Sequence, residues 1–309
     1  MMITSEDRAE LTLLESRIKT LLPEEYQDCY EEVQPTSMGS AGLRFGPDGK
    51  VAWNDMWASF CDLAMAGGPP HKGTLLEPAA ASAIDTQPER YREVVAEICR
   101  GVSMVTDLRT QASPRPGWVR VSCLNQGMAG WLLRAIVMEN VAARAEGAAL
   151  DVPAAPGFRL EKEIKNVVTV MAKTSHYWLG HMWPEQQRAI GQFFASAAEK
   201  TPLVEPIASN DGVLPDDYSN VAMRMTEAIK RETGLRTSNR RYTGWVGVEC
   251  QNVHVAIWIM RAIVTANVLS RREDTVLFVP VNPRHDPDGE RVVNAFIRTH
   301  HLATLKGVA

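Results

Sequence analysis

The sequence predicts an α+β fold: two tandem homologous α-β-α-β-β-α units packed as a pseudo-dimer, behind an N-terminal helix, β-hairpin and helix. Three observations lead there. Residues 108–156 align without a gap onto residues 235–283, 127 positions later, and 23 of the 49 pairs are identical, against roughly 6% expected from average residue usage. In each copy a period-2 stretch precedes an apolar stretch of helical length, and two short stretches flank a polar break after it. The balance of 45% apolar and 23% charged residues is that of a globular chain, and 309 residues can enclose a large core.

The elements follow in order. A charged amphipathic helix over 5–22 opens the chain, "LRFGPDGKVAW" reads as a hairpin over Gly46-Pro47-Asp48-Gly49, and "DMWASFCDLAMA" reads as a helix. Each repeat then starts with a helix, near "YREVVAEICRGVSMV" and "YSNVAMRMTEAIK". In "WVRVSC" and "WVGVEC" the residues Val119, Val121 and Cys123, and Val246, Val248 and Cys250, share one face of a strand. The following "MAGWLLRAIVMEN" and "VHVAIWIMRAIVTAN" are apolar nearly all round, which predicts helices covered on most sides. Glu146-Gly147 and Glu273-Asp274 sit at hairpin bends, with the glycine better suited to the turn. In "RLEKEIKNVVTVM" the residues Leu160, Ile164, Val167, Val168 and Met171 make an apolar face, leaving Lys162 and Lys165 on a solvated one. The resulting organisation is an extension over 1–74, a first unit over 75–172, an aromatic and histidine-bearing linker over 173–202 and a second unit over 203–309.

Charge and hydropathy exclude several classes. Net charge is −4, and no block of five like charges occurs, so neither nucleic acid nor an anionic membrane is an expected partner. No apolar run reaches the roughly 18 to 20 residues of a membrane span, and the acidic start is unlike a secretory leader. Cytoplasmic residence is the expectation, and five scattered cysteines without a CxxC fit reduced thiols.

The two copies act as an internal control. Residues shared by both belong first to the fold, and residues found in one copy point to a single asymmetric site. Cys123 and Cys250 therefore read as core residues. Arg134 and Arg261 interrupt apolar helices, so each needs a partner: Glu146 and Glu273 inside the fold, or an anionic ligand group, which a guanidinium matches with its planar fork.

Among unrepeated residues, "AGGPPHKGTLLEP" carries His71 and Lys72, candidates for proton transfer and anion binding. It is no nucleotide loop, because the order is Lys-Gly-Thr and Pro69 and Pro70 lack amide donors. "TSHYWLGHMW" adds His176 and Trp178, which could line the flat part of a ligand pocket. On a continuous helix His176 and His181 stand about 140° apart, so chelation by the pair is not expected. The nucleophile elbow, the dinucleotide glycine fingerprint, HExxH and a cysteine zinc set are all absent from the sequence.

The expected function is a cytosolic enzyme or binding protein for a small anionic metabolite, seated between the two lobes. His71 and Lys72 are the catalytic candidates; Arg134, Arg261, His176 and Trp178 are the ligand-binding ones. The alternatives are a non-catalytic scaffold that assembles with itself or a partner, and a handler of tetrapyrrole or metal through the His176 segment. The sequence names no cofactor.

Overall fold

The computed structural model of the chain describes residues 4–28, 42–58, 74–210 and 212–309. The fold is α+β, and no helix among the described residues is long and apolar enough to cross a membrane. In chain order come α1 (Ser5–Thr20), α2 (Trp53–Ala58), α3 (Ala81–Thr86), α4 (Pro88–Thr106), β1 (Thr110–Ala112), β2 (Trp118–Ser122), α5 (Gln126–Met138), β3 (Arg144–Glu146) and β4 (Ala149–Pro153). A π turn over Leu160–Ile164 leads into α6 (Lys165–Gly180). Then follow α7 (Pro184–Lys200), α8 (Tyr218–Thr233), β5 (Trp245–Glu249), α9 (Val253–Ile263), β6 (Arg271–Glu273), β7 (Val276–Pro280) and α10 (Glu290–Lys306). The chain divides into two compact units, residues 33–191 and residues 1–32 with 192–309.

In the unit 33–191 the predicted hairpin forms: the Gly46 amide donates to the Lys50 carbonyl at 2.8 Å and the Ala52 amide to that of Arg44 at 2.9 Å. The antiparallel sheet has the order β1-β2-β4-β3. Its register sets Val119 opposite Val152 and Val121 opposite Leu150, and all four are fully buried. Each such side chain contributes about 1.5–3 kcal/mol on leaving water. Helices α4, α5 and α6 supply most of the rest of this core, with α6 packed against both of the others and α2 against α4.

In the unit 1–32 with 192–309 the sheet order is β5-β7-β6, and α9 and α10 pack together with α1 from the start of the chain against α9. Ion pairs hold α1 to α10. Arg298 meets Asp7 and Glu10, and Lys306 meets Glu15. Hydrogen bonds from the Thr4 hydroxyl and amide, then the Arg298 guanidinium, bring the Asp7 carboxyl down to about 2.

Local features recur at the repeat spacing. The Gly117 amide donates to the Tyr91 hydroxyl and the Gly244 amide to the Tyr218 hydroxyl, both at 2.8 Å. Asn125 caps α5 by accepting from the Met128 amide, and Asn252 caps α9 by accepting from that of Val255. Asn140 and Asn267 both take left-handed backbone after those helices, with φ of 60° and 59°. Parallel bridges join Leu76 to Val141 and Val204 to Val268. The hairpin bends hold Gly147 at φ 58° and Asp274 at φ 53°, so the aspartate accepts the same turn as the glycine.

Some elements, α3 among them, lie outside the predicted set. Strand β1 was not predicted, and in the second sheet only a Thr237–Val248 bridge stands at its place. The stretch after "TSHYW" is helical as well, because α6 continues to Gly180 and α7 starts at Pro184. The helical period simply runs on past Met171.

Candidate functional site

Helix α6 carries Lys165, Thr169, Lys173 and Tyr177, one residue every four, which on an α-helix is a continuous ridge. The ridge is polar yet enclosed: Lys165, Lys173 and Tyr177 are only 8%, 4% and 8% exposed. This corrects the expectation for Lys165, although Lys162 is exposed as anticipated. A helical wheel finds the apolar side of α6 correctly but cannot show that neighbouring helices also cover the opposite side.

The ridge connects to further polar groups. The Lys173 ammonium donates to Glu139 Oε1 at 2.8 Å, an ion pair whose side chains are 5% and 15% exposed. The same ammonium lies 5.8 Å from the centroid of the Tyr177 ring. The Tyr177 ring is 6.2 Å from that of His181, and His181 Nε2 is 3.1 Å from His176 Nε2. Burial lowers the proton affinity of Lys165. Burial, then the neighbouring His181, lowers that of His176. Ammonium, carboxylate, phenol and imidazole groups thus lie in succession along one face of α6 and its end.

The cluster is present in one copy only. Under the alignment of Asn166 with Asn294, Lys165, Lys173, His176 and Tyr177 fall on Val293, His301, Thr304 and Leu305, while Glu139 falls on Ala266.

Arg134 is buried in α5 and donates from Nη1 to the Gly130 carbonyl at 2.7 Å, one turn back. Arg261, its counterpart on α9, is half-buried. The carboxylates expected to pair with these arginines pair elsewhere. Glu146 lies 3.7 Å from Arg115 and from Arg120, whose guanidinium also takes Asp151 across the strands at 2.8 Å. Glu273 accepts from Arg271 at 2.7 Å and from Arg240 at 3.3 Å. Short strand partners reach these hairpin carboxylates first. Arg271 is fully buried, its guanidinium carbon 4.0 Å from the Phe278 ring centroid and 4.3 Å from that of Tyr242, a cation–π enclosure.

Trp178 is fully buried, with its ring centroid 5.8 Å from that of Trp131. His71 and Lys72 lie outside the described residues. Sequence reasoning missed Lys173 as a site residue and Lys165 as a buried one. The available signal was a polar residue at every fourth position, Lys165, Thr169, Lys173 and Tyr177.

No family model, curated protein or solved structure matches the chain. The functional reading therefore rests on the chemistry of these side chains.

Among the described residues the cysteines offer no nucleophile. Burial pushes the thiol of Cys99 up to about 11 and those of Cys123 and Cys250 up to about 12, so thiolate is scarce at neutral pH. In a Cys29→Ser/Cys61→Ser variant, which removes the two cysteines outside the described residues, a disulfide reagent at pH 7.5 is expected to label none of the remaining three before denaturant is added. Rapid labelling of the native variant would contradict this assignment.

Proposed function

We propose that this chain is an internally duplicated α+β protein that binds a small anionic ligand in its first repeat, as a carrier or as an enzyme. Identity at 23 of 49 aligned positions and the recurring caps and tyrosine hydrogen bonds support the duplication. The observation that carries the ligand reading is the enclosed polar ridge of α6, with Lys165 and Lys173 both buried on it. A buried cation costs several kcal/mol unless an anion or a set of hydrogen bonds offsets it. Glu139 offsets that cost for Lys173; in this reading Lys165 and, on the neighbouring helix, Arg134 add the positive charge that a carboxylate or phosphate ligand meets.

In this reading His176, whose proton affinity burial and then His181 lower, acts as a neutral imidazole that accepts a proton, and His71 and Lys72 are further contributors to catalysis. The test is a thermal-shift screen of phosphate esters and carboxylates, in chelator, with wild type beside Lys165→Met and His71→Ala. One ligand class is expected to raise the wild-type Tm and leave Lys165→Met unmoved. No stabilisation from the whole panel, or equal stabilisation of Lys165→Met, would defeat the reading.

A further inference from the structure

We propose that His176 and His181 form a two-imidazole site for a divalent transition-metal ion. Spacing alone argues against the pair, because five residues along a continuous helix turn the side chains about 140° apart. Helix α6 does not continue: it ends at Gly180, and His181 adopts φ −126° and ψ 1°. That turn swings the second imidazole back over the last turn of the helix. The two Nε2 atoms come to 3.1 Å, with ring planes inclined at 64°.

The turn is held by its own hydrogen bonds. The His181 amide donates to the Tyr177 carbonyl at 3.1 Å. The side-chain amide of Gln187 donates to the carbonyls of Trp178 at 2.7 Å and Met182 at 3.0 Å. Pro184 then opens α7 with its φ already helical. The separation of the imidazoles is thus built into a helix–turn–helix connection.

The separation suits a metal. Two metal–nitrogen bonds of about 2.0–2.1 Å that meet at roughly 100° place their nitrogens 3.1 Å apart. Without metal, the same two atoms share one proton, the N–H of one ring donating to the lone pair of the other. Binding requires that ring to move its proton from Nε2 to Nδ1, so that both Nε2 lone pairs face the ion. Two neutral rings then bind with no net release of protons.

The charge around the pair permits this. The Lys173 ammonium reaches the cluster through Tyr177, but Glu139 neutralises it. Among the described residues no group of three or more His, Cys, Asp or Glu is placed to hold an ion. The remaining coordination positions thus fall to groups other than the described His, Cys, Asp and Glu side chains, water among them. Imidazole donors favour copper, nickel and zinc over magnesium and calcium, with Cu(II) the tightest of the divalent ions.

This inference concerns the ion alone and does not rest on the anion reading. The experiment titrates the full-length, tag-free, metal-stripped chain with Cu(II) in chloride buffer, followed by electron paramagnetic resonance, and with Zn(II) by calorimetry. One equivalent is expected to bind, with hyperfine splitting from two imidazole nitrogens. His176→Ala and His181→Ala are each expected to lower affinity at least about tenfold, since even the loss of a partner behind a ligand costs 10–100-fold. His254→Ala is expected to bind as wild type. His176→Gln and His181→Gln, which can retain a hydrogen bond at the turn, keep the test open should an alanine variant unfold. Wild-type binding by the histidine variants, or a copper spectrum without two nitrogens, would overturn the proposal. So would variants that lose thermal stability while the wild type gains none from either metal, the behaviour of a purely structural histidine pair.

Discussion

Glu139→Leu is expected to destabilise the chain by about 3–5 kcal/mol, because it removes the carboxylate that lies 2.8 Å from the enclosed Lys173 ammonium. The pair is 2.8 Å long and both side chains are largely out of water. Attraction between the charges offsets the loss of their hydration only while both are present. The double variant Glu139→Leu/Lys173→Met removes both charges and is expected to recover most of the loss, as buried pairs replaced by apolar groups commonly do. Urea denaturation of the two single variants and the double variant measures the coupling directly. A single-variant cost below about 1 kcal/mol would place the pair in the weak class of solvated surface bridges. The double variant also separates stability from ligand binding, since it can fold well and still lack the Lys173 cation.

Gly244→Ala is expected to cost about 4 kcal/mol or more, or to prevent folding. Gly244 has φ +79°, and a Cβ built there lies 2.3 Å from the Ile207 carbonyl oxygen and 2.9 Å from the Ile207 nitrogen. Both obstacles are backbone, so no rotamer change relieves them. The Gly244 amide also supplies the hydrogen bond to Tyr218, which any shift of the backbone would break. Gly234→Ala provides the control. That residue has φ +72° with nothing within 4 Å of the added Cβ, so only the conformational penalty of about 1–2 kcal/mol applies. Its repeat counterpart is Asp107, at φ 56°, where an L-residue already accepts the same region. Thermal denaturation of the two variants decides the matter: equal losses would show that the Ile207 contact carries no weight.

The glycine in the repeated phrase "GWVRV" and "GWVGV" thus has a physical reason. A left-handed residue before the strand turns its amide onto a tyrosine 26 positions upstream, in both copies. The strands, the two apolar helices and the hairpins were legible because each is a local pattern: period 2, continuous apolarity, a polar bend. Cys123 and Cys250 were legible as core residues for the same reason.

The candidate site was less legible. Arg134 and His176 stand out in the sequence, one as a charge in an apolar helix and the other beside aromatic residues. Their partners do not stand out. Glu139 and Lys173 are 34 residues apart, and nothing local says that one closes on the other.

What the sequence determined by itself is most of the elements inside the repeats, the spacing at which they recur and the residues that break the repetition. Tertiary structure alone decided that the polar ridge of α6 is enclosed, that Glu139 meets Lys173, and that the helix ends one residue before His181. Burial and long-range pairing depend on which surfaces meet in space, and a helix end decides which side chains can face each other. Helical periodicity carries none of that information, which is why two imidazoles expected about 140° apart lie with their nitrogens 3.1 Å from one another.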